Sequence, residues 1–198
     1  MVPILQKDAP VLREIAKPVT KDMFGTPELT KILRDMSEAL ASQDDGVAIA
    51  APQIGVSLRI FAVAGDVFEL MREASGDADD AGDDSRGGDA DGTSDKKAGS
   101  KRSKKRPADI VFINPKIVKL SRDKEVMEEG CLSVRPLYGN TVRSKKARIR
   151  AQDANGKEFE LGGTGLLAQI FQHETDHLEG VLFIDHATDL RDMNEEKK

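Results

Sequence analysis

His173-Glu174-Thr175-Asp176-His177 places two imidazoles four residues apart, with a carboxylate beside the first. On a helix, residues at i and i+4 share a face, so both rings can reach one metal ion. Glu174 then stands next to whatever else that ion holds. Two neutral nitrogen ligands and a carboxylate able to move protons are the parts of metal-assisted hydrolysis. Apolar spacing supports the helix: Leu166, Leu167, Ile170, Phe171 and Leu178 recur with the motif residues at three- and four-residue intervals. Thr164, following Gly162-Gly163, is the expected N-cap, and Gly180 the expected stop. Leu166 and Ile170 fall on the face of His173 and His177, so the motif projects from an apolar stripe into a core. Two histidines satisfied inside an amphipathic helix are the plainer alternative, but burying two imidazoles and a carboxylate there without a metal is costly.

A third ligand is available upstream. The chain has one cysteine, Cys131, in Glu129-Gly130-Cys131-Leu132-Ser133. A lone cysteine cannot staple its own fold. It reads either as a small buried hydrophobe or as a thiolate ligand. Polar neighbours and Gly130, which permits a close backbone approach, favour the ligand. With His173 and His177 it makes a site of three ligands with a fourth position left open, as catalysis requires. His186 reads as a surface or capping residue. A third segment, Gly46 to Gly55, is small and apolar with one amide, Gln53. Pro52 argues against a central strand there, so the chain should leave its strand near Ala51 and turn Gln53 to one side. No phosphate-loop or dinucleotide spacing is present.

These three segments, in this order, resemble the motifs of bacterial peptide deformylases: Gly46 to Gln53, Glu129 to Ser133, and Gln172 to Leu178. The resemblance extends through the N-terminal stretch and the tail Gly180 to Asp185. It implies removal of the formyl group from the N-terminal formyl-methionine of newly made polypeptides, with release of formate. It also implies a metal on Cys131, His173 and His177. Fe(II) is the expected ion, and zinc, nickel or cobalt suit the same donors. Glu174 is implied as the proton carrier, and the Gln53 amide and Leu132 backbone N–H as donors to the developing oxyanion. Val47, Met127 and Ile170 match positions lining a methionine pocket. Arg143 matches a bracing arginine that could pair with Glu129 or Asp176. Three departures stand out. Ala48 replaces a glycine, Arg135-Pro136 alters the loop through Tyr138, and Thr175 occupies a usually apolar position.

At 198 residues, the chain is expected to form one catalytic domain over 1–198. The expected class is α+β, with mostly antiparallel strands packed around a buried C-terminal helix carrying the His-Glu-x-x-His motif. Thr26-Pro27-Glu28 reads as the start of a helix whose stripe is Leu29, Ile32, Leu33, Met36 and Leu40. Strands are expected at Val47 to Ala50, Leu58 to Ala64, Asp109 to Ile113 and Ile117 to Leu120. Arg148 to Gln152 and Lys157 to Leu161 flank Asn155-Gly156, a hairpin signal. Between about 74 and 107 the chain is first rich in Asp, Gly and Ala, then basic. It has too little apolar surface to offset its ordering entropy and is expected to be a disordered insertion. The net charge of −5 is too mild to point to a partner class. No run spans a membrane and no secretory signal is visible, so a cytoplasmic enzyme is expected. Its partners would be formyl-methionyl nascent peptides and, transiently, the ribosome, with no membrane and no specific nucleic-acid sequence. Two rivals differ in class. A zincin-type metallopeptidase takes its third ligand from downstream, where Glu179 and His186 are the candidates. A non-catalytic, ribosome-associated metal-binding module would not need Gln53 and Glu174 together.

Overall fold

The computed structural model describes residues 2–75 and 107–193, with backbone alone for 72–75. Helix α1, Pro27–Ala41, starts as its pattern predicts: the Thr26 hydroxyl accepts the Leu29 N–H at 3.2 Å, and Leu29, Met36 and Leu40 are buried. Strand β1, Ala48–Ala50, breaks at a short 3-10 turn, Ala51–Ile54, which contains Pro52. Strand β2, Ile60–Val63, leads into helix α2, Gly65–Ser75. The insertion expected between about 74 and 107 lies outside the described residues, apart from its two ends.

Strand β3, Ile110–Leu120, is continuous where two strands were expected. Its pairing slips on either side of Lys116–Ile117, and Asn114 has a φ of 50°. Pro115 cannot donate to a ladder, so the strand bulges there instead of ending. Strands β4 (Lys124–Gly130) and β5 (Leu137–Ser144) follow. The expected hairpin forms from β6, Lys146–Gln152, and β7, Glu158–Thr164, with Asp153 accepting the N–H groups of Asn155 and Lys157 at 2.8 and 2.9 Å. Helix α3, Leu166–Leu178, carries the histidine motif, and strand β8, Thr188–Asp192, closes the described chain.

The strands form two antiparallel sheets, ordered β1-β2-β3-β6-β7 and β4-β5-β8. Helix α3 packs against strands of both. That is the predicted α+β arrangement, with the motif helix buried between sheets. Phe61, Phe112 and Phe171 meet at its centre, Phe61 stacked on Phe112 at 4.6 Å and Phe112 edge-on to Phe171 at 5.4 Å. Each fully buried ring contributes about 1.5–3 kcal/mol of transfer free energy.

The ends of α3 decide where its ligands point. Thr164 is not its N-cap. It pairs with Lys146 as the last residue of β7, and Gly165 (φ 53°) makes the turn from strand to helix. The passage is too abrupt to leave room for a capping side chain. At the other end Gly180 adopts φ 73°, its N–H reaching the His177 carbonyl and the Val181 N–H the Asp176 carbonyl. These are the paired bonds of a Schellman stop. No helix among the described residues is long and apolar enough to cross a membrane.

Candidate metal centre

His173 and His177 share one face of α3, their ring centroids 4.9 Å apart. Cys131 arrives from the end of β4, its sulfur 3.2 Å from His177 Nε2. One donor atom from each of Cys131, His173 and His177 lies within 4.8 Å of the others. This spacing and donor chemistry fit a metal ion bound through sulfur and nitrogen. The turn into Cys131 depends on Gly130: a Cβ there would meet the Tyr138 ring at 2.5 Å. The close approach predicted for this glycine is therefore to an aromatic face of β5.

The donors are aimed by a buried ionic network. Glu129 Oε1 lies 2.5 Å from His173 Nδ1, which leaves Nε2 for a cation. Arg143 donates to both oxygens of Glu129, at 2.9 and 3.2 Å, and to Asp176 at 2.7 Å. It thus takes both partners that the sequence left open. Thr141 adds a short hydrogen bond to Glu129. Burial opposes the ionisation of Glu129, yet its contacts with His173 and Arg143 outweigh that and hold its carboxyl at about 2. Burial likewise opposes a charge on His173, but Cys131 and Glu129 overcome it and raise its pKa well above the usual value. The negative surroundings that hold a proton there would hold a metal cation as well. Burial drives His177 the other way, toward the neutral form that a ligand needs.

Glu174 is 3 % exposed, and its buried Oε2 has no hydrogen-bond partner among the described residues. Burial, reinforced by Glu129 and Asp176 against the opposing pull of His173, pushes its carboxyl up to about 7. Gln53 faces Cys131 from the turn after β1. Its Oε1 accepts the Ala50 N–H at 2.8 Å, and its Nε2 donates to Ser133 Oγ at 3.0 Å and lies 3.5 Å from the Cys131 sulfur. The N-terminal segment braces this edge: the Leu5 N–H donates to the Gln53 carbonyl at 2.8 Å, and the Gln6 amide to the Leu132 carbonyl at 3.2 Å. Ser133 escaped the sequence reading, and so did Gln172, whose side-chain amide clamps the backbone N–H and carbonyl of Ser144 at 3.0 Å each. Both sit inside recognised motifs, but nothing in their spacing marks a hydroxyl that accepts from the Gln53 amide or an amide that binds backbone.

A cleft of about 200 Å³ opens beside the donors, lined by Gln53, Leu132, His173, Glu174, Val47, Ala48, Leu166, Gln169 and Ile170 among others. Val47 and Ile170 reach it, and Met127 does not. Met127 lies half-buried opposite Thr141, two residues before Glu129 on β4. Ala48 is absent from the positive-φ residues, so its methyl causes no backbone strain and only narrows the cleft. Arg135 pairs with Asp45, both on the cleft wall, and the Thr175 hydroxyl turns back to the Phe171 carbonyl at 2.6 Å. The downstream ligands that a zincin needs are elsewhere: Glu179 pairs with Arg59 at 2.7 Å on the surface, and His186 is exposed.

A cysteine and two histidines beside an open cleft define a candidate catalytic metal centre, as distinct from a closed structural one. Proteins similar in both sequence and fold say which kind. The family model for polypeptide deformylase matches residues 1–193. The peptide deformylase of Erythrobacter litoralis is 34% identical over 98% of this chain and 93% of its own length. That of Rhodopseudomonas palustris is 36% identical over 91% and 82%. Among solved structures, a class I type b peptide deformylase from Acinetobacter baumannii bound to Met-Ala-Ser has a TM-score of 0.69 at 27% identity, covering 94% of this chain and 99% of that one. A peptide deformylase from Legionella pneumophila has a TM-score of 0.66 at 34% identity, covering 94% and 85%. The chain belongs to the polypeptide deformylase family and is an enzyme.

Proposed function

We propose that this enzyme hydrolyses the N-formyl group from the N-terminal formyl-methionine of newly made polypeptides and releases formate. The observation carrying this reading is the gathering of Cys131, His173 and His177 donors within 4.8 Å, with Glu174 and Gln53 on the same cleft wall. Cys131, His173 and His177 would hold the metal, with Fe(II) expected and zinc, nickel or cobalt suited to the same donors. When bound, the metal supplies Lewis acidity and makes water a better nucleophile near neutral pH. Glu174 is not a ligand. Its carboxylate accepts a proton from the attacking water and returns it to the departing amine. The Gln53 Nε2 and the Leu132 N–H donate to the formyl oxygen as charge builds on it. Glu129, locked by Arg143, keeps the His173 ring in its working tautomer.

The tripeptide Met-Ala-Ser is what remains once formyl-Met-Ala-Ser loses its formyl group, and a related enzyme holds that peptide. Val47 and Ile170 would flank its first side chain. Contact with nascent chains implies work at the ribosome, transiently, in the cytoplasm.

Formate release from formyl-Met-Ala-Ser by the anaerobically purified, iron-loaded protein tests the reading. Glu174→Gln should keep its metal and lose about 10²–10⁴ in turnover. Cys131→Ala should lose metal first. No formate from the loaded wild type would overturn the proposal. Tight metal binding by Cys131→Ala would shift it toward a zincin.

A further inference from the structure

Beside the apolar Val47, Leu166 and Ile170, the cleft is lined by a second amide in addition to Gln53. Gln169 stands on α3 one turn before His173, with 7% of its surface exposed. Its Nε2 donates to the Glu128 carbonyl at 2.8 Å, which uses one of two protons. Among the described residues no hydrogen bond involves its Oε1. Nor is that oxygen one of the buried unpartnered side-chain atoms of the described residues, which are Ser57 Oγ, Glu174 Oε2 and His177 Nδ1. Solvent therefore reaches it, and a buried cleft-lining side chain meets solvent through the cleft. An amide in an apolar wall costs free energy unless its groups find partners. This one keeps a proton and an acceptor to spare.

The reach matches a substrate. One turn of α3 separates Gln169 from His173, about 6 Å along the helix axis. An extended path from a formyl carbon through N, Cα, Cβ and Cγ to the next side-chain atom also spans about 6 Å. A formyl group at the donor cluster thus delivers the heteroatom of a methionine side chain to the level of Gln169.

We infer that Gln169 is a specificity-determining residue whose amide meets the first side chain of the substrate. It equips the pocket for side chains with a hydrogen-bond acceptor two carbons beyond Cα: the sulfur of methionine and also the oxygen of its sulfoxide. The inference rests on the deformylase reading for its occupant. An all-apolar wall would strip the sulfoxide of water and return nothing. Gln169 returns one hydrogen bond.

The test is calorimetric binding of Met-Ala-Ser, its methionine sulfoxide form and norleucine-Ala-Ser to the metal-loaded protein and to Gln169→Met, an unbranched replacement of similar length. In the wild type, the sulfoxide peptide should bind within about tenfold of Met-Ala-Ser, the range one neutral hydrogen bond covers. Gln169→Met should widen that gap by about three- to tenfold and bring the methionine-to-norleucine ratio toward one. An unchanged gap in the folded variant, checked by thermal unfolding, overturns the inference. So does a wild type that binds the sulfoxide about a hundredfold more weakly than norleucine, the penalty of an unpartnered buried dipole; this arm needs no variant. Binding is read without turnover. The predicted binding pattern without formate release would sink only the deformylase reading. Formate release with an unaltered gap would sink only the role of Gln169.

Discussion

Arg143 holds two carboxylates at once and is itself almost fully buried. Replacing it with alanine strips the buried Glu129 of its guanidinium partner and leaves only His173 and Thr141 against it. Breaking such a buried pair costs about 3–5 kcal/mol. Loss of the brace that orients a ligand typically weakens metal binding about 10–100-fold. Arg143→Ala should show both effects, in denaturant unfolding of the metal-free protein and in metal titration. A stable variant with unaltered affinity would mean that Glu129 orients His173 without help. Glu129, Cys131, His173, Glu174 and Gln53 were legible as chemistry because their residue types are rare in an apolar context. Ser133, Thr141 and Gln172 were not, because a hydroxyl or amide that serves a neighbour looks like any other polar side chain until the neighbour is known.

Helix α3 works because both its ends are set. Gly180 has φ 73°, and a Cβ there would lie 2.7 Å from the Arg13 carbonyl carbon. Gly180→Ala should destabilise the fold by about 1–3 kcal/mol from the left-handed conformation alone, with the clash against Arg13 added. Denaturant unfolding measures this, and a neutral substitution would show that the N-terminal segment moves freely away. The hairpin of β6 and β7 was legible from Asn155-Gly156, and α1 from Thr26 and its stripe. Strands β4 and β5 were not, for a physical reason. Their inward faces carry Glu129, Thr141 and Arg143, whereas Val126 and Val142, paired across the strands, are exposed. The polar-in, apolar-out alternation is the reverse of the usual signal. These strands bury charge to build the site, so hydrophobic period cannot find them. Strand β8, Thr188–Asp192, is mostly exposed and offers no pattern.

Across the molecule, the N-terminal segment closes the back of the centre. Leu12, Val134, Leu182 and Phe183 form a second small core against Cys131, and the Phe183 ring lies 6.4 Å from that of His173. Arg13 reaches Asp185 at 2.5 Å, and Asp185 also accepts the Leu182 N–H at 2.9 Å. Partial burial raises the Asp185 carboxyl, but these two donors lower it further, below the unfolded value of about 3.9. A depressed carboxylate stabilises the fold fully above its unfolded pKa and ceases to do so as pH falls through its folded pKa. The stability difference between wild type and Asp185→Asn should therefore be constant from pH 7 to about pH 5 and shrink below about pH 4. Unfolding free energies across that range check it. A difference that persisted undiminished at pH 2 would exclude the ionised contact as its source.

The amino-acid order was enough to name the donors and the element that carries two of them. An i, i+4 histidine pair on an apolar stripe is a local pattern, and so are a hairpin's Asn-Gly and a helix's Thr-Pro-Glu. It took the folded chain to join Arg143 to both Glu129 and Asp176, to keep Met127 out of the cleft, and to set Gln169 into its wall. Those outcomes depend on the register between β4 and β5 and on how α3 lies across two sheets. Such long-range pairings are settled by packing many residues at once, and no window of local sequence contains them.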